Sequence, residues 1–261
     1  SRNDRRSQHL AGIRDAVTGP GGADTVPSKS RGEFMKDWTI VFDLDGTLVD
    51  TAPDLAEATN HVLSTLGLER VNELEIRPFV GHGALAMIDG AVKAHGRKLS
   101  ERELHDLFEV FIVYYSAHLA DYSAPYPHII DTLDALKAEG ATLAVCTNKM
   151  EAQARAVIEA MKLDKYFSAL TGRDSLGVYK PDPGHLTGTI ARAGGRPARS
   201  IMVGDSETDI KTARAAAIPV VAVSFGYSVD PVLSFGPDVV IDDYRDLRSA
   251  IGKLQASALS S

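Results

Sequence analysis

Five short, unbroken β-prone runs leave this chain few folds to choose from: Thr39–Phe42, Thr142–Cys146, Ile201–Val203, Val220–Val223 and Val239–Ile241. None shows the strict apolar–polar alternation of a half-solvated strand, so they suit a parallel sheet covered on both faces. The cover is legible between them. Ile130, Leu133 and Leu136 form a helical stripe closed by Gly140, and Ala154, Val157, Ile158 and Met161 form another. Strand and helix patterns alternate from Asp37 onward, which predicts an α/β fold built on a Rossmann-like, doubly wound parallel sheet.

One long interval interrupts the alternation. Between the first two strands lies a purely helical region in which Leu55, Thr59, Val62, Leu63 and Leu66 share one face, with Pro53 in the first turn and Gly67 at the end. Ser100 and Glu103 then form a capping-box pattern ahead of Leu104, Leu107, Phe108, Phe111 and Tyr115. The expected organisation is a core from 37–52 and 128–255, a helical cap of three to five helices inserted at 53–127, and a tail at 256–261. Residues 1–36, with TGPGGADTVPSKSRG and little apolar periodicity, read as a flexible extension rather than a secretory signal. Met35, just before the first strand, suits an internal initiation site.

Composition narrows the function. Thirty-five acidic residues against 28 basic ones give a formal charge of −7, a poor match to a nucleic-acid backbone. The lone cysteine, Cys146, excludes an internal disulfide or a multi-cysteine metal site and reads as strand packing. The longest apolar stretch, Ala215 to Val223, is too short to span a bilayer and contains Pro219. A cytoplasmic protein that binds neither nucleic acid nor membrane is expected, as a monomer or homodimer.

Four polar clusters stand at element boundaries, where an open parallel sheet places its ligand site. Asp43-Leu44-Asp45-Gly46-Thr47 follows TIVF; in extended chain, i and i+2 carboxylates point the same way. Such a pair lets one acid attack while the other manages a proton. Thr147-Asn148-Lys149 follows TLAVC and offers a hydroxyl and a backbone N–H to phosphate oxygens. Lys180-Pro181-Asp182-Pro183 supplies a compact positive charge on a stiff approach to a helix. Gly204-Asp205-Ser206-Glu207-Thr208-Asp209 follows SIMV, and Asp205 and Asp209 offer hard oxygen ligands suited to Mg²⁺. Each cluster alone is a common turn or helix start; their order and placement together carry the signal.

In this conjunction the chain resembles the haloacid dehalogenase superfamily of phosphohydrolases, over about Asp37 to Leu247 and including the helical insertion. Within it, the strings VFDLDGTLVDTAPDL, PYP, TNK, KPDP, GDSETDI, FGY and PDVVID most resemble phosphoglycolate phosphatases. The resemblance implies Asp43 as nucleophile forming an aspartyl-phosphate, and Asp45 as acid and then base. Thr147 and Lys180 would hold phosphoryl oxygens. Mg²⁺ would be bound by Asp43, the Asp45 carbonyl, Asp205 and Asp209. Gly46, Thr47 and Asn148 are expected beside the substrate, with Gly81, His82 and Gly83 reaching in from the insertion. Phosphoglycolate phosphatases often carry asparagine where His82 stands, and TGRDSLGVY departs from their usual loop before the lysine.

The expected partner is a small phosphorylated metabolite, 2-phosphoglycolate first. Sugar phosphates, nucleotides, pyrophosphate and a phosphomutase reaction remain alternatives on the same fold. A receiver-like phospho-aspartate module or a non-catalytic scaffold fits less well, because the acid, hydroxyl and lysine set is complete and the insertion is long.

Overall fold

The structure, a computed structural model, describes residues 35–258. Most of the expected extension and the last residues of the tail therefore lie outside the described residues. The final helix runs on to Ala258, beyond the boundary expected at 255. Met35, expected in the extension, is instead fully buried in the core, and its N–H donates to the Glu139 carbonyl at 3.0 Å.

The strands are β1 (Thr39–Phe42), β2 (Val49–Asp50), β3 (Ala124–Pro125), β4 (Thr142–Cys146), β5 (Ala169–Thr171), β6 (Ser200–Gly204), β7 (Val220–Val223) and β8 (Val239–Ile241). Six of them form one parallel sheet in the order β5-β4-β1-β6-β7-β8. The chain thus winds outward from β1 first to one side and then to the other, the doubly wound arrangement. β5 has no counterpart among the runs read from sequence, because Ala169-Leu170-Thr171 carries a single large apolar residue and so makes no continuous apolar run.

Successive strand residues feed opposite cores. Ile40, Phe42, Leu143, Val145, Ile201 and Val203 pack on one face beneath α5 (Ile129–Ala138), α6 (Glu151–Ala160) and α9 (Leu247–Ala258). Val41, Ala144, Cys146, Met202 and Ala222 pack on the other, beneath α7 (Pro183–Arg192) and α8 (Glu207–Ala215). Both faces are covered, which is why none of these strands needs a polar side. In α5 it is Ile129 that is buried with Leu133 and Leu136, while Ile130 is exposed.

The interrupting region forms α1 (Ala52–Thr65), α2 (Glu73–Val80), α3 (Ala84–Ala94) and α4 (Glu101–Ala117) around a core of its own that includes Val62, Leu63, Ile76, Ile88 and Phe111. The expected Ser100–Glu103 capping box opens α4, and a second, Asn72–Glu75, opens α2. The chain leaves and re-enters the sheet domain side by side, since β2 and β3 pair antiparallel with Val49 opposite Pro125. Asp54 secures this crossing, accepting from the Tyr122 and Ser123 amides at 2.9 and 2.8 Å. Among the described residues no helix is long and apolar enough to cross a membrane.

Candidate active site

The central position of β1 decides where the chemistry gathers. Its C-terminal end lies between those of β4 and β6, so Asp43, Thr147 and Asp205 emerge beside one another. The Asp43 N–H donates to the Val203 carbonyl at 2.9 Å, extending the ladder by one residue. A tight turn follows, in which the amides of Leu48 and Val49 converge on the Leu44 carbonyl at 2.9 and 3.1 Å. Gly46 takes a φ of 79° there, and a Cβ on it would lie 2.5 Å from the Asp205 carboxylate, so only glycine fits.

Asp43, Asp205 and Asp209 form a buried trio whose carboxylate oxygens lie within 4.8 Å of one another. Lys180 Nζ stands against them, 2.9 Å from Asp43 Oδ1 and 2.6 Å from Asp209 Oδ1. The other oxygens of Asp205 and Asp209 are held from behind. Thr47 Oγ1 donates to Asp205 Oδ1 at 2.9 Å and the Tyr227 N–H to Asp205 Oδ2 at 2.8 Å. Ser206 Oγ donates to Asp209 Oδ2 at 2.7 Å within the capping box that opens α8.

Three carboxylates share one ammonium, and the acids respond. Burial pushes the Asp43 carboxyl up to about 7, against the pull of Lys180 and with the push of Asp209. Burial, reinforced by Asp209 and Asp43, pushes Asp205 up to about 8. Burial works against the charge on Lys180, but Asp209 and Asp43 outweigh it and raise its proton affinity. Such a set fits a hard divalent cation: the donors are carboxylate oxygens, clustered, and short of positive charge.

Asp45 stands apart from the trio. Thr51 Oγ1 donates to its Oδ1 at 2.6 Å, and Lys149 Nζ spans both oxygens at 3.0 and 3.3 Å. Lys149 also lies 4.7 Å from the centre of the Tyr115 ring, so α4 of the insertion reaches the Asp45 environment. A cavity of about 540 Å³ opens over these groups, with Asp43, Asp45, Thr147 and Lys180 on its floor. Leu55, Val80, Met87, Phe108 and Phe111 of the insertion form its roof.

The other expected contacts divide. Gly81, His82, Gly83 and Asn148 line the cavity. The amides of His82 and Gly83, however, donate to the Phe79 and Val80 carbonyls, so this loop offers the cavity the His82 side chain rather than main-chain donors. Asn148 Nδ2 donates to the Lys180 carbonyl at 2.9 Å and fixes the lysine loop. Thr47 is fully enclosed and holds Asp205 instead of facing the cavity. Lys149, Tyr227 and Arg173 received no role from sequence, although TNK, FGY and TGRDS each displayed one of them. The partners of Lys149 and Tyr227 lie far away in the chain, where spacing could not reveal them, and Arg173 stacks on Tyr179 within its own loop.

The comparisons with known proteins agree with this geometry. Residues 40–223 match the family model described as haloacid dehalogenase-like hydrolase. A phosphoglycolate phosphatase from Mesorhizobium japonicum is 48% identical over 208 residues, covering 80% of this chain and 92% of that protein. One from Agrobacterium fabrum is 48% identical over 211 residues, covering 81% and 91%. Among solved structures, a predicted phosphoglycolate phosphatase from Haemophilus somnus superimposes with a TM-score of 0.77 at 34% identity, covering 83% of this chain and 98% of that one. The chain belongs to the family of haloacid dehalogenase-like hydrolases.

Proposed function

We propose that the protein is a Mg²⁺-dependent phosphatase that hydrolyses a small phosphomonoester through a phosphorylated Asp43, with 2-phosphoglycolate as the favoured substrate. The observation that carries the reaction class is the floor of the cavity. A buried acid at a strand end lies within an acidic trio and beside a lysine, with a second acid two residues on, held in its own set of donors. The names of the relatives at 48% identity support the substrate.

In this reading the Asp43 carboxylate attacks phosphorus and the bond to the leaving oxygen breaks, while Asp45 gives that oxygen its proton. Asp45 then takes a proton from water, the water oxygen attacks the acyl phosphate, and Asp43 is released with inorganic phosphate. Lys180 and the Thr147 hydroxyl hold phosphoryl oxygens, and the wall of Tyr115, Phe108 and Met87 limits bulk water. Asp43, Asp205 and Asp209 would hold Mg²⁺, which would supply the positive charge a phosphate dianion needs to approach these acids. A cytoplasmic location belongs to the same proposal, and the buried, unpaired Cys146 is in keeping with it.

The cavity supports a second reading, a larger sugar phosphate, because about 540 Å³ is ample for a two-carbon acid. The deciding experiment is phosphate release from 2-phosphoglycolate, a hexose phosphate, a nucleoside monophosphate and pyrophosphate, with and without Mg²⁺. Mg²⁺-dependent release with the highest kcat/KM on 2-phosphoglycolate is expected. Release from none of them would remove the hydrolase reading, and a clear preference for the hexose phosphate would replace the substrate.

A further inference from the structure

Four Lys or Arg side chains line the cavity, and three are already matched by acids. Lys180 faces Asp43 and Asp209, Lys149 faces Asp45, and Arg77 faces Glu73 and Asp50. Arg173 differs: it lines the cavity, and among the described residues it forms no ion pair. Its placement is nonetheless fixed. The guanidinium carbon lies 3.9 Å from the centre of the Tyr179 ring, a stacking that orients the planar fork. The main-chain N–H of Arg173 donates to the Lys149 carbonyl at 2.9 Å, tying the residue to the loop that bears Thr147. The preceding Gly172 is packed so closely that a Cβ would lie 2.3 Å from the Glu151 nitrogen.

The outer end of Arg173 meets the insertion. A Cβ on Gly83 would lie 3.7 Å from Nη1, so the guanidinium sits across from the Gly81–Gly83 loop. We infer that Arg173 is a specificity-determining residue that binds a second anionic group, a carboxylate on the leaving alcohol, at the junction of core and insertion. This rests on the phosphatase reading and sharpens it: the substrates are phosphomonoesters with an acidic leaving group. The inference follows from charge. A phosphomonoester brings its own anion to the Mg²⁺ and Lys180, while Arg173 stands free to accept another, and a carboxylate meets an arginine fork through two parallel hydrogen bonds. On the insertion loop beside it, the His82 and Gly83 amides are engaged by the Phe79 and Val80 carbonyls, while the His82 side chain is exposed.

The test uses binding, so that it does not depend on turnover. Isothermal titration calorimetry in Mg²⁺ would compare 3-phosphonopropionate, the methylene analogue of 2-phosphoglycolate, with propylphosphonate, which lacks the carboxylate. The wild type is expected to prefer the carboxylated ligand. Arg173→Gln should weaken its binding roughly ten- to hundredfold while leaving propylphosphonate nearly unchanged, as loss of a charged hydrogen bond predicts. Arg173→Lys should retain part of the preference. A wild type with no preference, or a preference that survives Arg173→Gln, overturns the inference. Phosphate release from 2-phosphoglycolate by the wild type reports separately on the phosphatase reading. An Arg173-dependent preference without any release would defeat that reading and leave the anion site standing.

Discussion

At the scale of single residues, Asp43 and Asp205 make the protein's stability depend on pH in a direction opposite to that of carboxylates held ionised by ion pairs. Unfolded, Asp43 and Asp205 ionise near the ordinary aspartate value of 3.8; folded, they hold their protons up to about 7 and about 8. The folded state therefore binds more protons between about pH 4 and 8, and the stability from these groups is complete below that window and lost as pH rises through it. A divalent cation competes with those protons. Mg²⁺ should therefore raise the melting temperature more at pH 8 than at pH 5.5, read by scanning fluorimetry; equal increments at both would contradict this account. Asp43→Asn should lower kcat by on the order of a thousandfold or more, as expected when a nucleophile is lost. The same variant, stripped of metal, should melt no lower than the wild type at pH 8, because one of the crowded charges has gone. Substantial turnover by the folded variant would exclude a phosphorylated Asp43.

At the scale of elements, the junction between sheet and insertion is held by the Tyr227 hydroxyl as well as by Asp54. The Tyr227 hydroxyl accepts from the amides of Thr51 and Ala52 at 2.7 and 2.9 Å, where α1 begins, and donates to Asp50 Oδ1 at 2.7 Å. Tyr227→Phe strands two buried donors, which costs about 1–3 kcal/mol, and should lower Tm by roughly 2–12 °C. An unchanged melting temperature would show that water or a rearranged turn replaces the hydroxyl. This contact also marks how far the sequence could be read. Five strands, α1 and α4 are legible because each carries its own unbroken apolar run, helical stripe or cap, and the Asp43, Thr147, Lys180 and Asp205 clusters because each ends or opens such an element. β2 and β3 are two residues each and exist through pairing across the insertion, so no local pattern announces them. Thr47 was placed with the substrate and lies behind Asp205, because what a hydroxyl faces is decided by a partner 158 positions away. Lys149 was overlooked for the same reason, since its partner Asp45 is 104 positions away.

At the scale of the whole molecule, Met35 ties the start of the described chain to its end. It is fully buried, its amide bonds the residue after α5, and its sulfur accepts from Gln255 Nε2 of α9 at 3.2 Å. Met35→Ala should destabilise the protein by about 2–5 kcal/mol, measured by urea unfolding; a cost under about 0.5 kcal/mol, the level of an exposed site, would show that this corner does not belong to the core. The central place of β1 has a consequence in time. Thr39 pairs with Thr142 on one side and Ser200 on the other. At about 5–20 residues per second of synthesis, roughly 5–20 s pass before β4 exists and roughly 8–32 s before β6. The first strand made thus waits longest for both its neighbours, and meanwhile its apolar TIVF segment has bare edges. The helical insertion, rich in near-neighbour contacts, emerges in that interval and can pack while the sheet waits. Ribosome-bound chains that stop short of Gly204 should accordingly bind hydrophobic-segment chaperones through TIVF, and chains long enough to complete β6 should release them.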